Sequence, residues 1–259
     1  MIESEDKVTT DQKIFCLGDI HGCHLELIEL LEKIGWSREN KEIRIISLGD
    51  LLDRGPMSVE VVQFIRKNNI ELVRGNHDDK YVQLWEKIKW HEKNPGNVKP
   101  AWLAKYPERI KILFGLTEED ILWLKNAPTS ICLEDYKTVL VHAGFMPGVP
   151  LADQKDNTKM HIRFLFDNAP AFLEKHNNYN PPVGSRFWAE DYLEDWHVVY
   201  GHHVWDLEFI KIHTNPKGYS CYGIDTGACF GGSLSALELS KDGQHKIHQV
   251  KAKKNYAKK

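Results

Sequence analysis

Lys13-Ile-Phe-Cys-Leu-Gly-Asp-Ile-His-Gly22 is a short apolar run stopped by a Gly-Asp turn, and Ile43-Arg-Ile-Ile-Ser-Leu-Gly-Asp50 repeats the pattern further along the chain. Short apolar runs of this kind, without polar alternation, read as strands buried on both faces. Between them Leu27, Ile28, Leu30, Leu31 and Ile34 recur at helical spacing, and Val59, Val61, Val62, Phe64 and Ile65 do the same after the second run. A third run, Ile70 to Val73, ends at Gly75. Strands alternating with helices predict a largely parallel sheet, and in such sheets ligand-binding residues gather beyond the carboxyl ends of the strands. Asp19, Asp50 and Asn76 each follow a strand in that way.

Outward from this core the pattern changes twice. Residues 78–126 read as a helical insertion, rich in tryptophan (Trp85, Trp90, Trp102, Trp123) and broken by Pro95, Pro100 and Pro107. Thr117-Glu-Glu-Asp120 ahead of Ile-Leu-Trp-Leu124 has the polar cap and acidic first turn of a helix start. The tryptophans suit packing between helices; a platform for stacking a substrate ring is the alternative. Beyond this segment, Thr138 to Val141, Val198 to Tyr200, Leu207 to His213, Tyr219 to Ile224 and Leu234 to Leu239 read as strands. Asn215-Pro-Lys-Gly218 and Gly231-Gly232 supply turns, so a second, mostly antiparallel sheet is expected against the first. Neither a linker nor an internal repeat is visible, which predicts one domain over 1–259 with flexible tails at 1–12 and 251–259.

The 259 residues, 42% hydrophobic and 27% charged, are enough to bury a sizeable core. A net charge of −3 gives no electrostatic case for nucleic-acid binding; the lysine-rich end reads as a solvated terminus. No apolar stretch is long enough for a membrane span, and the polar, acidic N-terminus has no hydrophobic core of a secretory signal. Five scattered cysteines without a C-x-x-C pair argue for a reducing compartment and against a thiolate zinc site. The expected location is the cytoplasm.

Five short segments carry chemistry: Gly18-Asp-Ile-His-Gly22, Gly49-Asp-Leu-Leu-Asp-Arg-Gly55, Gly75-Asn-His-Asp78, His142-Ala-Gly144 and Gly201-His202. Singly, each has a structural explanation, since a Gly-Asp pair after a strand is a common turn. Together they offer hard oxygen donors and neutral imidazoles, a set that suits manganese, iron or zinc. Two cations ~3.5–4 Å apart need a shared ligand, for which a carboxylate is the natural choice. Asp50 is the candidate bridge, Asp19 and His21 complete a first metal site, and Asn76, His142 and His202 a second. His77, beside Asn76, is placed to protonate a leaving oxygen, with Asp53 to orient it. Arg54 and Arg163 can fork onto a phosphate, to which Asn76 is also close.

In this order the five segments resemble the signature of the PPP superfamily of metallophosphatases, the calcineurin-like phosphoesterases that include protein phosphatases, the lambda-type phosphatase and the diadenosine tetraphosphatases. Residues 142–163 and the closing Gly223-Ile-Asp-Thr-Gly-Ala-Cys-Phe-Gly-Gly-Ser-Leu-Ser-Ala-Leu237 look like the bacterial and diadenosine-tetraphosphatase branch. The resemblance implies an α/β fold, a four-layer α/β/β/α sandwich with mixed sheets. It also implies two divalent ions, usually manganese, and attack by hydroxide held on them without a phosphoenzyme. The six ligands, the His77–Asp53 pair and the phosphate-binding Arg54 and Arg163 carry over to the same positions. Symmetrical diadenosine tetraphosphatases usually carry another residue where Asp53 stands, so the Asp53-Arg54 pair favours a protein phosphatase acting on phosphoserine, phosphothreonine or phosphotyrosine. A dinucleoside polyphosphate hydrolase is the alternative, and a non-catalytic scaffold is disfavoured because it needs none of these groups. Phosphoprotein or nucleotide substrates are therefore the expected partners.

Overall fold

The computed structural model describes residues 12–94, 106–167, 169–170 and 181–258. Along the chain run β1 (Lys13–Leu17), α1 (His24–Lys33), β2 (Ile43–Ser47), α2 (Ser58–Lys67), β3 (Glu71–Leu72), α3 (Asn76–Lys93), α4 (Pro107–Gly115) and α5 (Glu118–Asn126). Then follow β4 (Ser130–Leu133), β5 (Thr138–Val141), α6 (Asp156–His161), β6 (Phe164–Phe166), β7 (Ala169–Pro170), β8 (Arg186–Phe187) and β9 (His197–Tyr200). The chain closes with β10 (Lys211–Thr214), β11 (Ser220–Gly223), β12 (Ser233–Leu239) and β13 (Lys246–Lys251).

Among the described residues two five-stranded sheets form, in the orders β13-β12-β1-β2-β3 and β10-β11-β9-β5-β4. They stack face to face because alternate residues of each strand are apolar on both sides. Ile14, Cys16, Ile46 and Leu48 meet Leu140, Val199 and Tyr222 between the sheets. Phe15, Leu17 and Ile45 point the other way, into a core with Leu27, Leu30, Val61, Val62 and Ile65 of α1 and α2. On the far side of the second sheet Val139, Val141, Val198 and Tyr200 pack on Phe145, Phe187 and Trp188. The outer layer there is thin, built from α6, short 3₁₀ turns and the small sheet β7-β6-β8. The expected α/β/β/α sandwich with mixed sheets is the architecture observed.

Three expectations change. The second sheet is mixed rather than mostly antiparallel, since β5 and β9, and β9 and β11, run parallel. Leu234 to Leu239 leaves that sheet altogether and pairs antiparallel with β1, Ile14 against Leu239. Both results follow from burial on two faces: the apolar pattern says that a strand is interior, not which neighbour it takes. Leu207 to Ile210 also lies outside β10, where Asp206 Oδ1 accepts from the backbone N–H groups of Glu208 and Phe209 at 2.7 and 3.0 Å and starts a turn instead.

The lysine-rich end is not a free tail over its described part. Residues after β13 fold back on α1, where Tyr256 Oη donates to Glu26 Oε1 at 2.7 Å and Lys253 N donates to the same oxygen at 3.0 Å. Glu26 is fully buried, which is why the segment is held. The 1–12 tail, except for Gln12, lies outside the described residues. In the 78–126 segment Trp85 and Trp123 pack against the helix-side core, Trp90 is 52% exposed, and Trp102 lies outside the described residues. The start at Thr117 is a reciprocal cap: its hydroxyl accepts from Asp120 N at 3.1 Å, and Asp120 Oδ2 accepts from Thr117 N at 2.9 Å. No helix among the described residues is long and apolar enough to cross a membrane.

Candidate active site

The loops after β1, β2, β3, β5 and β9 converge at one end of the two stacked sheets. They are held there in backbone that most residues avoid. Of the eight non-glycine residues with left-handed backbone among those described, five are His21, Asp50, Asp53, Arg54 and His202. Such conformations cost ~1–3 kcal/mol each and survive only where surrounding contacts enforce them. Two glycines allow the loops to close in. A Cβ at Gly75 would come 2.3 Å from Asp50 Oδ1, and one at Gly201 would come 2.1 Å from Asp19 Oδ1.

All six sequence-nominated ligands are brought together and buried: Asp19, His21, Asp50, Asn76, His142 and His202. Two histidines are fixed by the nitrogen they turn away from the centre. His21 Nδ1 donates to Leu52 O at 2.7 Å and His142 Nδ1 donates to Leu48 O at 2.8 Å, so each keeps Nε2 as a lone-pair donor. Burial drives the ring of His21 down to about 3 and that of His142 to about 4, so both are neutral at pH 7. Burial alone would raise Asp50, but His142, His77 and His21 around it outweigh that and hold its carboxyl below the ordinary range. Asp19 moves the opposite way, raised by burial and then by Asp225 and Asp50.

The distances describe a centre short of positive charge. Asp50 Oδ2 is 3.5 Å from His21 Nε2 and Asp50 Oδ1 is 3.4 Å from His142 Nε2, which puts Asp50 between two groups of donors. The Asn76 side-chain amide lies 3.1 Å from His142 Nε2, 3.2 Å from His202 Nδ1 and 3.2 Å from Asp50 Oδ2, acceptor atoms in every case. The amide can meet them with its nitrogen, or complete with its oxygen a set of lone pairs that only a cation satisfies. Asp19 Oδ2 is likewise buried without a hydrogen-bond partner. Buried lone pairs of this kind are costly unless something binds them, and this donor set suits divalent metals. Two groups with donor atoms within 4.8 Å of one another could each hold an ion: His21, Asp50 and His77, and Asp50, His142 and His202. Asp50 belongs to both. His203 stays out of the cluster, its ring packed on Trp205 and Phe187 at 4.7 and 5.3 Å.

His77 sits at the start of α3, with its Nδ1 donating to Asp53 Oδ2 at 2.6 Å. Asp53 has two further partners that sequence reasoning did not find. Tyr81 Oη donates to its Oδ1 at 2.5 Å, and Arg109 of α4 donates through Nε and Nη2 to Oδ2 at 3.0 and 2.7 Å. Burial opposes the charge on Asp53, yet His77, Arg109 and Tyr81 together hold its carboxyl well below the usual range. Arg54 Nη1 donates to His21 Nε2 at 2.6 Å, and its guanidinium lies over the Phe230 ring. Arg163 Nη2 donates to His202 O at 2.8 Å. Both nominated arginines therefore border the cluster.

Two carboxylates near the centre also went unassigned. Asp78 accepts from Asp50 N, Leu51 N and Gly75 N at 2.9, 2.9 and 3.0 Å, and so ties the second loop to the third. Its signal was an acid in the third position of a helix start, where capping carboxylates stand. Asp225, in the closing segment, is buried beside Asp19, Arg54 and Arg163, and burial pushes its carboxyl up to about 6.

The chain is similar to several known proteins. The calcineurin-like phosphoesterase family model matches residues 12–232. A bis(5'-nucleosyl)-tetraphosphatase named as asymmetrical, from Halalkalibacterium halodurans, is 30% identical over 86% of this chain and 88% of its own length. Its namesake in Anoxybacillus flavithermus is 31% identical over 85% and 88%. A symmetrical bis(5'-nucleosyl)-tetraphosphatase from Wigglesworthia glossinidia brevipalpis is 26% identical over 86% and 94%. Among solved structures, one provisionally called a diadenosine tetraphosphatase superposes with a TM-score of 0.72 at 22% identity, covering 94% of this chain and 95% of that one. A serine/threonine phosphatase from Saccharomyces cerevisiae gives 0.55 at 16%, covering 95% and 82%. These two structures speak to the fold.

Proposed function

The chain belongs to the calcineurin-like phosphoesterase family and is a phosphoester hydrolase, and from that premise we propose that its substrate is a dinucleoside polyphosphate, of which diadenosine tetraphosphate is the test case. The observation that carries this reading is the match, over most of both chains, to relatives named bis(5'-nucleosyl)-tetraphosphatases at 30% and 31% identity. It reverses the preference for a protein phosphatase drawn from the Asp53-Arg54 pair alone.

In this reading Asp19, His21 and Asp50 would hold one divalent ion, and Asp50, Asn76, His142 and His202 would hold a second, with manganese the preferred metal and iron or zinc as alternatives. When bound, such a pair neutralises phosphoryl oxygens and makes a water molecule acidic enough to attack near neutral pH. The protein does the rest. Arg54 and Arg163 bind oxygens of the reacting phosphate. His77 gives a proton to the departing oxygen, and Asp53 keeps that imidazole in place by accepting from Nδ1. Tyr81 and Arg109 fix Asp53 in turn.

A second reading has its own support. The His77–Asp53 pair serves most where the leaving group is a poor one, an alkoxide, as in phosphoserine or phosphothreonine. Turnover by the manganese-loaded protein on diadenosine tetraphosphate and on a phosphopeptide separates the two. Preference for the dinucleotide supports the proposal, and its products, AMP with ATP or two ADP, identify the mode of cleavage. Preference for the phosphopeptide by an order of magnitude or more in kcat/KM would overturn it.

A further inference from the structure

We propose that Lys80 binds the phosphate on the leaving side of a polyphosphate substrate, and so favours anhydride over monoester hydrolysis; this rests on the substrate reading above. Lys80 lies on α3 one turn beyond Asn76 and His77, at the spacing that puts all three on neighbouring faces of the helix. Its Nζ is 3.1 Å from the Asn76 side-chain amide. When Asn76 turns its oxygen toward the metal donors, its NH₂ group faces this ammonium. Two donors then confront each other with no acceptor between them.

The other cations at the site each have a protein acceptor as well. Arg109 holds Asp53, Arg54 donates to His21, and Arg163 donates to His202 O. Lys80 is half-buried, and among the described residues its ammonium forms no ion pair. Burial, with Arg109 and Arg54, draws its ammonium below the usual lysine range against Asp50 and Asp53, which favour the charge. A solvated surface lysine would extend into water; this one is kept beside the centre, where, with the Asn76 oxygen turned to the metal donors, an incoming anion gains a charge-assisted hydrogen bond without displacing a protein partner.

The position also says which anion. His77 is the group placed to protonate the departing oxygen, and Lys80 is three residues along the same helix. An alkoxide leaving group carries no second charged oxygen for an ammonium to bind. A departing nucleotide carries a phosphate, and Lys80 meets it.

The test uses the full chain loaded with manganese, as wild type, K80A and K80R, with metal content and thermal midpoint recorded for each. Steady-state rates are measured on diadenosine tetraphosphate and p-nitrophenyl phosphate, and calorimetry follows ADP and inorganic phosphate binding. Loss of one charge-assisted bond predicts that K80A lowers the ratio of kcat/KM on the dinucleotide to that on the monoester by about 10- to 100-fold, with partial recovery in K80R. ADP binding weakens by a similar factor relative to phosphate. Equal losses on both substrates, or equal weakening of both ligands, overturn the role of Lys80. Should the wild type ignore diadenosine tetraphosphate, the substrate reading fails, and the comparison of ADP with phosphate still decides whether Lys80 binds a second phosphate.

Discussion

Replacing Arg109 with alanine probes how the helical insertion reaches the chemistry. Arg109 contributes N···O contacts of 3.2, 3.0 and 2.7 Å to Asp53. A charge-assisted pair of this geometry is worth ~1.5–3 kcal/mol. The Arg109 side chain is 31% exposed against 9% for Asp53, so solvent screening argues for the lower end of that range. Asp53 keeps His77 Nδ1 and Tyr81 Oη as partners, so R109A leaves no orphaned buried charge and should fold. What it loses is the constraint on which way the carboxylate faces. If roughly 1.4 kcal/mol of that ordering is expressed in the transition state, kcat falls about tenfold. KM should stay within about a factor of two, because Arg109 is assigned no substrate contact. The assay is kcat and KM on diadenosine tetraphosphate, with manganese content measured on the same samples and R109K as the conservative variant. Partial recovery in R109K with unchanged metal content supports a positioning role. A wild-type kcat in R109A, or a loss that tracks departing metal, refutes the reasoning.

H77N should keep its metal and lose turnover by about 10²- to 10⁴-fold on a substrate with a poor leaving group, with a smaller loss on p-nitrophenyl phosphate; metal loss instead would make His77 a ligand, as its grouping with His21 and Asp50 allows. Y256F removes the 2.7 Å bond to buried Glu26 and should lower stability by ~1–2 kcal/mol, a few degrees in thermal midpoint, with kcat unchanged. Asp120 joins α5 to α2 through Arg66 Nε at 2.6 Å, so D120N should cost ~1–3 kcal/mol in denaturant unfolding. Burial opposes ionisation of Asp120, but Thr117 and Arg66 outweigh it and depress its carboxyl, so its stabilisation is present above the unfolded pKa and lost as pH falls through the folded one. The stability gap between wild type and D120N should therefore be flat from about pH 7 to pH 5 and close below about pH 4; a gap that widens on acidification would contradict this.

The helical insertion shows where local reading stops. Thr117 announced its helix because the reciprocal cap spans only three residues. Arg109 gave no sign of its role, because its partner Asp53 is 56 residues earlier and nothing in the intervening pattern fixes how α4 lies on α3. Asp78 is intermediate. It stands in one of the five segments singled out by the sequence, while its grip on the backbone of Asp50 and Leu51 needed two loops to meet.

The sequence by itself determined the interior strands, the alternation with helices and the identity of the donor groups, because apolar runs, Gly-Asp turns and the ligand chemistry of Asp, Asn and His are properties of residues and their near neighbours. Tertiary structure alone decided that β12 crosses to the first sheet, that the lysine-rich end is tied to Glu26, and that Arg109 of the helical insertion holds Asp53. Each of those is a choice among partners distant in sequence, made by which packing buries the most apolar surface while leaving the fewest buried polar groups unmatched.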